Sequence, residues 1–213
     1  MNRKLISNSN YVLKKIFKSI ESLDILQDFI EAFLKIKIKR IKFNSYKIIN
    51  SKKIPIEELF GFANVRVITT ANEEINIGIQ FLDGLYIHTK LLLYYAQVHV
   101  NQLKYNTKQN IGRTITINIF DFNCFVSDEY HKKILIKPKD KVKNVAINEN
   151  LELHIIELKK FICNPYIGLN PKEEWILYLI GEDKEKIKEI LNKNEKIKKL
   201  DELLDKYWQE EKI

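Results

Sequence analysis

The chain has 213 residues, 45% of them hydrophobic and 30% charged, a composition that builds a sizeable core and excludes a mainly disordered protein. Its 36 Lys and Arg against 28 Asp and Glu leave a net charge of +8, which favours polyanions such as nucleic acid, although a lysine-, isoleucine- and asparagine-rich composition produces the same surplus without such a partner. No stretch nears the roughly 18 apolar residues that span a bilayer, and residues Met1 to Asn8 lack an apolar signal core, so a cytoplasmic, non-membrane protein is expected.

From Asn10 the apolar positions Tyr11, Val12, Ile16, Phe17 and Ile20 have helical spacing, and Asp24 to Leu34 continues at three- and four-residue steps, as two short helices or one broken helix. Lys35 to Phe43 alternates with a slip at Lys39-Arg40, the pattern of a half-exposed first strand with a bulge. After a loop holding Lys52, Lys53 and Pro55 come Asn64 to Ile68 and Ile75 to Gln80, separated by a polar turn near Ala71-Asn72-Glu73. That spacing predicts an antiparallel hairpin in which Asn64 and Gly78 fall opposite or nearly opposite each other.

Tyr86 to Gln102 reads as a mostly apolar helix packed on the sheet. Thr114 to Phe122 and Leu151 to Leu158 alternate as a fourth and a fifth strand. Strands alternating with helices predict an α/β fold, a mixed sheet flanked by helices. From Asn170-Pro171 the composition shifts to helix: Trp175, Ile176, Leu179 and Ile180 on one face, then an amphipathic Lys/Glu-rich stretch from Lys184 to Tyr207. Pro171 and the acids Glu173 and Glu174 mark a helix start. Two segments follow, a domain over residues 1–169 and a carboxy-terminal helical extension over 170–213.

Several metal and nucleophile chemistries lack support. Cys124 and Cys163 lie in apolar or aromatic surroundings with no Cys-x-x-Cys or Cys/His pattern, which reads as reduced core thiols and not a zinc site. His88, His99, His131 and His154 are dispersed, with no i, i+4 metal spacing, so core or surface roles are expected. Ser127-Asp128-Glu129-Tyr130-His131 gathers triad residue types but reads as a loop or helix start, since a triad is defined by spatial roles. The six glycines form no phosphate-cradling cluster. Tyr86, Tyr94, Tyr95 and Tyr105 interleave with Lys90, Lys104 and Lys108; core aromatics with lysines at the rim are favoured over a nucleic-acid contact.

Asn10 to Phe17, Ile75 to Gln80, Leu92-Leu93-Tyr94-Tyr95, Thr114 to Phe122 and Leu153 to Leu158 occur in order and spacing that resembles the PD-(D/E)XK nuclease family transposases, also called recombination-promoting nucleases. The resemblance covers nearly the whole chain. It implies a restriction-endonuclease-like fold and, in intact members, magnesium-dependent DNA cleavage that serves DNA recombination. Such members carry an Asp before the second strand's alternating run and a Glu-x-Gln or Glu-x-Lys element on the third. Here Asn64 takes the Asp position and Gly78 the Glu position, and of that motif only Gln80 remains. Asn10 replaces a further acid, Leu13 a Phe, and Leu91 an Arg, with Lys90 the nearest cation.

Those departures bear on chemistry because magnesium requires oxygen ligands, usually one or two carboxylates with water and phosphate. Gly78 offers no side chain, Asn64 only a neutral carbonyl, and Gln80 cannot act as a base. Glu74 shares their strand face but four residues of strand put it about 13 Å from Gly78. Three readings stay open at this point. The first is a catalytically inactive family member that binds DNA, with Lys14, Lys15 and Lys90 as candidate contacts and no cofactor. The second is an active magnesium-dependent endonuclease with Glu57 or Glu58 recruited as ligand. The third is an interaction protein that pairs with a second copy or regulates a paralogue.

Overall fold

The computed structural model describes residues 10–43, 63–82, 87–101, 112–135, 151–162 and 168–210. They fall in two compact units, one spanning Lys39–Lys160 and the other joining Met1–Ile38 to Phe161–Ile213. No helix among the described residues is long and apolar enough to cross a membrane.

The Lys39–Lys160 unit is built on a six-stranded sheet. Its strands are β1 (Ile38–Phe43), β2 (Ala63–Thr69), β3 (Glu74–Leu82), β4 (Arg113–Phe120), β5 (His131–Leu135) and β6 (Leu151–Glu157), arranged β1-β2-β3-β4-β6-β5. β2 and β3 are antiparallel, β3 runs parallel to β4 and β4 to β6, and β5 returns antiparallel on β6. The sheet is therefore mixed, as the alternation of strand and helix patterns requires. The turn between β2 and β3 places Asn72 at φ 61°, a left-handed conformation that asparagine tolerates better than most residues. Thr69 closes it by accepting from the amide of Glu73 on Oγ1 at 3.1 Å.

Successive residues of a strand point to opposite faces, and the two faces of this sheet differ sharply. Val65, Val67, Ile75, Ile77, Ile79, Ile115, Ile117 and Ile119 lie on one face and are almost wholly buried. The opposite face carries a row of polar or small residues, Asn64, Asn76, Gly78, Gln80, Thr114, Thr116 and Asn118, which is nevertheless buried. The cover is helix α3 (Ile87–Asn101), whose Ile87, Leu91, Tyr94 and Val98 recur at the three- and four-residue steps of one helical stripe. Near the carboxyl ends of the strands Leu82, Phe120, Ile155 and Ile87 form an apolar cluster with Leu91, Phe122, Cys124 and Phe125 packed on it.

The second unit is helical: α1 (Asn10–Phe17), a 3-10 turn at Ile20–Ser22, α2 (Leu23–Leu34), α4 (Pro171–Ile180), α5 (Lys184–Lys193) and α6 (Glu195–Glu210). Phe17, Phe29 and Trp175 meet edge to face or tilted, with Phe29 and Trp175 centroids 5.2 Å apart, and the Trp175 indole N–H donates to Asp28 Oδ2 at 2.9 Å. Asn170 and Glu173 form a reciprocal capping box at the start of α4, and Gly181 ends it at φ 73°, the left-handed stop that glycine adopts without a Cβ penalty. The single helix expected over 184–207 is divided at Asn194. Its amide donates to the Ile190 carbonyl at the end of α5, while its Oδ1 accepts from Lys196 and Ile197 to open α6.

A further difference from the sequence reading has a physical cause. β5 has no apolar alternation because it is an edge strand with Lys132 and Lys133 at its centre, the polarity edges use against illicit pairing. The Ser127–Tyr130 stretch is irregular loop, one of the two forms expected for it, and His131 begins a strand. Cys124 is a free, half-buried thiol; Cys163 lies outside the described residues.

Candidate functional site

The hairpin register sets Asn64 directly against Gly78 and Ala63 against Ile79. Gly78 in turn pairs with Thr116 and Gln80 with Asn118 on β4, so Asn64, Gly78, Gln80 and two β4 residues share one face. Gln80 is fully buried and donates through Nε2 to Asn118 Oδ1 at 2.6 Å. Asn118 Nδ2 donates onward to Thr116 Oγ1 at 3.1 Å and to the His154 carbonyl at 2.9 Å. An amide row thus locks β3, β4 and β6 together. The Oε1 atom of Gln80 is buried without a hydrogen-bond partner among the described residues.

α3 closes over this row. The Tyr94 hydroxyl lies 2.8 Å from the Ala63 carbonyl and 3.0 Å from that of Ile79, so its single proton is shared across a β2–β3 residue pair. A Cβ placed on Gly78 would lie 2.6 Å from Val98 Cγ2 and 2.9 Å from both Tyr94 Cε1 and its hydroxyl oxygen. Gly78 is not at positive φ, a conformation found among the glycines described here only at Gly181. Glycine is required at 78 by space and not by backbone angle. Beside the row, His99 Nδ1 lies 3.0 Å from Thr114 Oγ1, and burial lowers the His99 pKa. Tyr95, stacked on His99, has its phenol pKa pushed up by burial.

A family model for PD-(D/E)XK nuclease family transposases matches residues 8–213. The chain belongs to that family. No curated protein and no solved structure matches it. Membership agrees with the mixed sheet, the flanking helices and the carboxy-terminal helices, a restriction-endonuclease-like α/β fold. PD-(D/E)XK nucleases generally depend on magnesium. Asn64, Gly78 and Gln80 do not fit that ion: they include no carboxylate, and the space into which a residue-78 side chain would extend is filled by Val98 and Tyr94. Among the described residues no three His, Cys, Asp or Glu side chains are grouped to hold a metal.

The remaining candidates are distributed. Lys15 is exposed on α1 and Lys90 half-buried on α3, while the Lys14 side chain, Glu57 and Glu58 lie outside what is described. Tyr94 and Tyr95 are buried, as core aromatics; Tyr86, Tyr105, Lys104 and Lys108 are not among the described residues. Glu74 is exposed at the hairpin turn, within 3.5 Å of Arg66 and paired in register with Ile68.

Two ionic clusters were not legible in sequence. Glu157, wholly buried, accepts from the Phe125 amide at 3.1 Å and from Lys132 and Lys160 at 3.0 and 2.9 Å, and it also accepts from the Cys124 amide. Burial alone would raise its pKa, but the hydrogen bonds from Lys160, the two amides and Lys132 bring it down to about 2. On the other face His131 Nε2 lies 2.8 Å from His154 Nδ1, and His154 Nε2 meets Glu152, which Arg113 and Lys133 also contact at 2.7 and 2.9 Å. Both depend on β5, the strand that periodicity does not reveal.

Proposed function

We propose that this chain is a catalytically inactive member of the PD-(D/E)XK nuclease family transposases that binds DNA through its basic surface without cleaving it. The observation that carries the reading is the space around Gly78. Hydrolysis in this family requires a metal and an activated water, and side chains anchoring such a metal on β2 and β3 must be anionic oxygens. Here the nearest shell is amide, phenol and methyl. Opening room for a carboxylate would mean displacing Val98 and Tyr94, and with Tyr94 the hydroxyl contacts that tie α3 to the hairpin.

DNA binding is supported by family membership and by the net charge of +8, since phosphate neutralisation by Lys and Arg supplies most sequence-independent affinity. The test is plasmid nicking with magnesium and with manganese, beside a fluorescence-anisotropy titration of a labelled duplex across sodium chloride concentrations. Intact plasmid and an affinity that falls linearly in log–log form with salt are expected. Nicking that EDTA abolishes would overturn inactivity, and salt-independent or undetectable binding would overturn the DNA role.

A further inference from the structure

We propose that β1 is the edge along which the chain tracks the phosphate backbone of duplex DNA, with Lys39, Arg40 and Lys42 as its contacts. The inference rests on the DNA-binding reading above and gives it a place. β1 ends the strand order, with β2 on one side and no described strand on the other. Lys39, Arg40 and Lys42 are exposed, while Ile41 and Phe43 are half-buried. Arg40 and Lys42, two residues apart, therefore stand on one side of the strand, about 6.6 Å from each other.

What sets these three apart is how positive charge is treated on the other strands of the sheet. Every Lys and Arg there is paired with a glutamate: Arg66 with Glu74, Arg113 with Glu73 and Glu152, Lys132 with Glu157, and Lys133 with Glu152. Among the described residues no acid pairs with Lys39, Arg40 or Lys42. Lys39 Nζ donates to the neutral Asn72 Oδ1 at 3.2 Å. That contact is in the β2–β3 turn, whose acids Glu73 and Glu74 are already held by Arg113 and Arg66.

Edge protection does not account for this difference. Cations on an edge strand discourage pairing with another chain, yet β5 carries Lys132 and Lys133 and hands each to a glutamate. Guarding an edge needs polarity, not uncompensated charge. Adjacent cations without acids repel one another, a cost that folding does not require and that an anionic ligand relieves. Phosphate fits the set: the Arg40 guanidinium can take two phosphate oxygens at once, and the lysine ammonium groups act as point charges beside it. Cations at strand spacing then meet successive groups of a regular polyanion. Contacts of this kind position DNA without reading its sequence.

The experiment compares the full chain with the double variant Arg40→Gln, Lys42→Gln and with Lys159→Glu, which changes an exposed cation in the turn after β6. Each variant removes two units of positive charge from a net +8. Anisotropy of a labelled duplex across sodium chloride concentrations gives the slope of log affinity against log salt. That slope should fall in magnitude by about 1.8 for the β1 variant, at about 0.9 per phosphate contact, and stay unchanged for Lys159→Glu. In the unaltered chain, Lys39 and Lys42 should lose reactivity toward an amine-acylating reagent when duplex is added, while Lys159 keeps its own. An unchanged slope in the β1 variant, an equal fall in both variants, or undiminished labelling of Lys42 with duplex bound would each overturn the proposal and leave DNA binding itself standing. A chain that binds no duplex would overturn both. Phosphatidylserine vesicles that shield these lysines where duplex does not would overturn it in favour of a membrane surface. The labelling measurement needs no variant.

Discussion

At Gly78 a single hydrogen atom in place of a side chain decides how closely α3 approaches the sheet. Gly78→Ala should destabilise the protein by about 1–3 kcal/mol, the usual cost of overpacking a filled interior. Val98→Ala in the same chain should recover part of that loss, because it removes the methyl at 2.6 Å, although Tyr94 still crowds the new atom. Urea unfolding of the two single variants and the double variant measures the coupling, and strict additivity would contradict the packing argument. Glu157 makes a pH prediction. Its pKa is 4.5 for an ordinary glutamate and about 2 in the fold, so the folded state holds its proton less tightly than the unfolded chain. Its stabilisation is complete above about pH 4.5 and is lost as pH falls through about 2. Glu157→Gln should flatten that part of the stability curve, read by urea denaturation at successive pH values.

Among the elements, helix ends and strand edges are where sequence and structure part. The Lys/Glu-rich run from Lys184 to Tyr207 has one continuous apolar stripe, and nothing in its periodicity marks a stop at Asn194. The break arises because the Asn194 side chain caps α6 while its backbone closes α5, a choice that asparagine offers locally and packing selects. Asn194 Nδ2 also donates to Glu174 Oε2 at 2.9 Å. Asn194→Ala should therefore cost about 1–2 kcal/mol through the lost cap, measured by thermal or urea unfolding; a neutral effect would show that the break is set by the chain alone. The hairpin, by contrast, was fully legible. Alternation and a polar turn fixed both strands, and Asn64 pairs with Gly78 as the spacing requires. β5 was invisible for the reason that protects it, since an edge strand with lysines on both faces has no hydrophobic period to read.

For the whole molecule, the sheet and its helical partners could be expected from order and spacing, because long periodic segments report burial directly. The placement of Asn64, Gly78 and Gln80 on one face could be expected as well. Their surroundings could not: Tyr94, Val98 and Asn118 reach the Asn64–Gly78–Gln80 row from elements separated in sequence, and no local pattern announces that they meet there. The same holds for His131 and His154, 23 positions apart in the chain and joined by one strand pairing. Net charge is a property of the entire surface. Raising sodium chloride from about 50 to 200 mM should weaken duplex binding by a factor set by the number of phosphates neutralised, roughly 10³ to 10⁵ for six to ten contacts. Lys15→Glu should lower the slope of that plot if Lys15 is one of them; an unchanged slope would remove it from the interface.

The interlock of Val98 and Tyr94 over Gly78 also limits which single substitutions the chain can accept there. A codon change that places glutamate at position 78 meets a wall of methyl and phenol before its carboxylate can be of any use, so that single step is selected against on folding alone. In a mutagenised library screened for soluble protein, glutamate at 78 should surface only alongside smaller residues at 98 or 94. Recovering it alone would show the door still open.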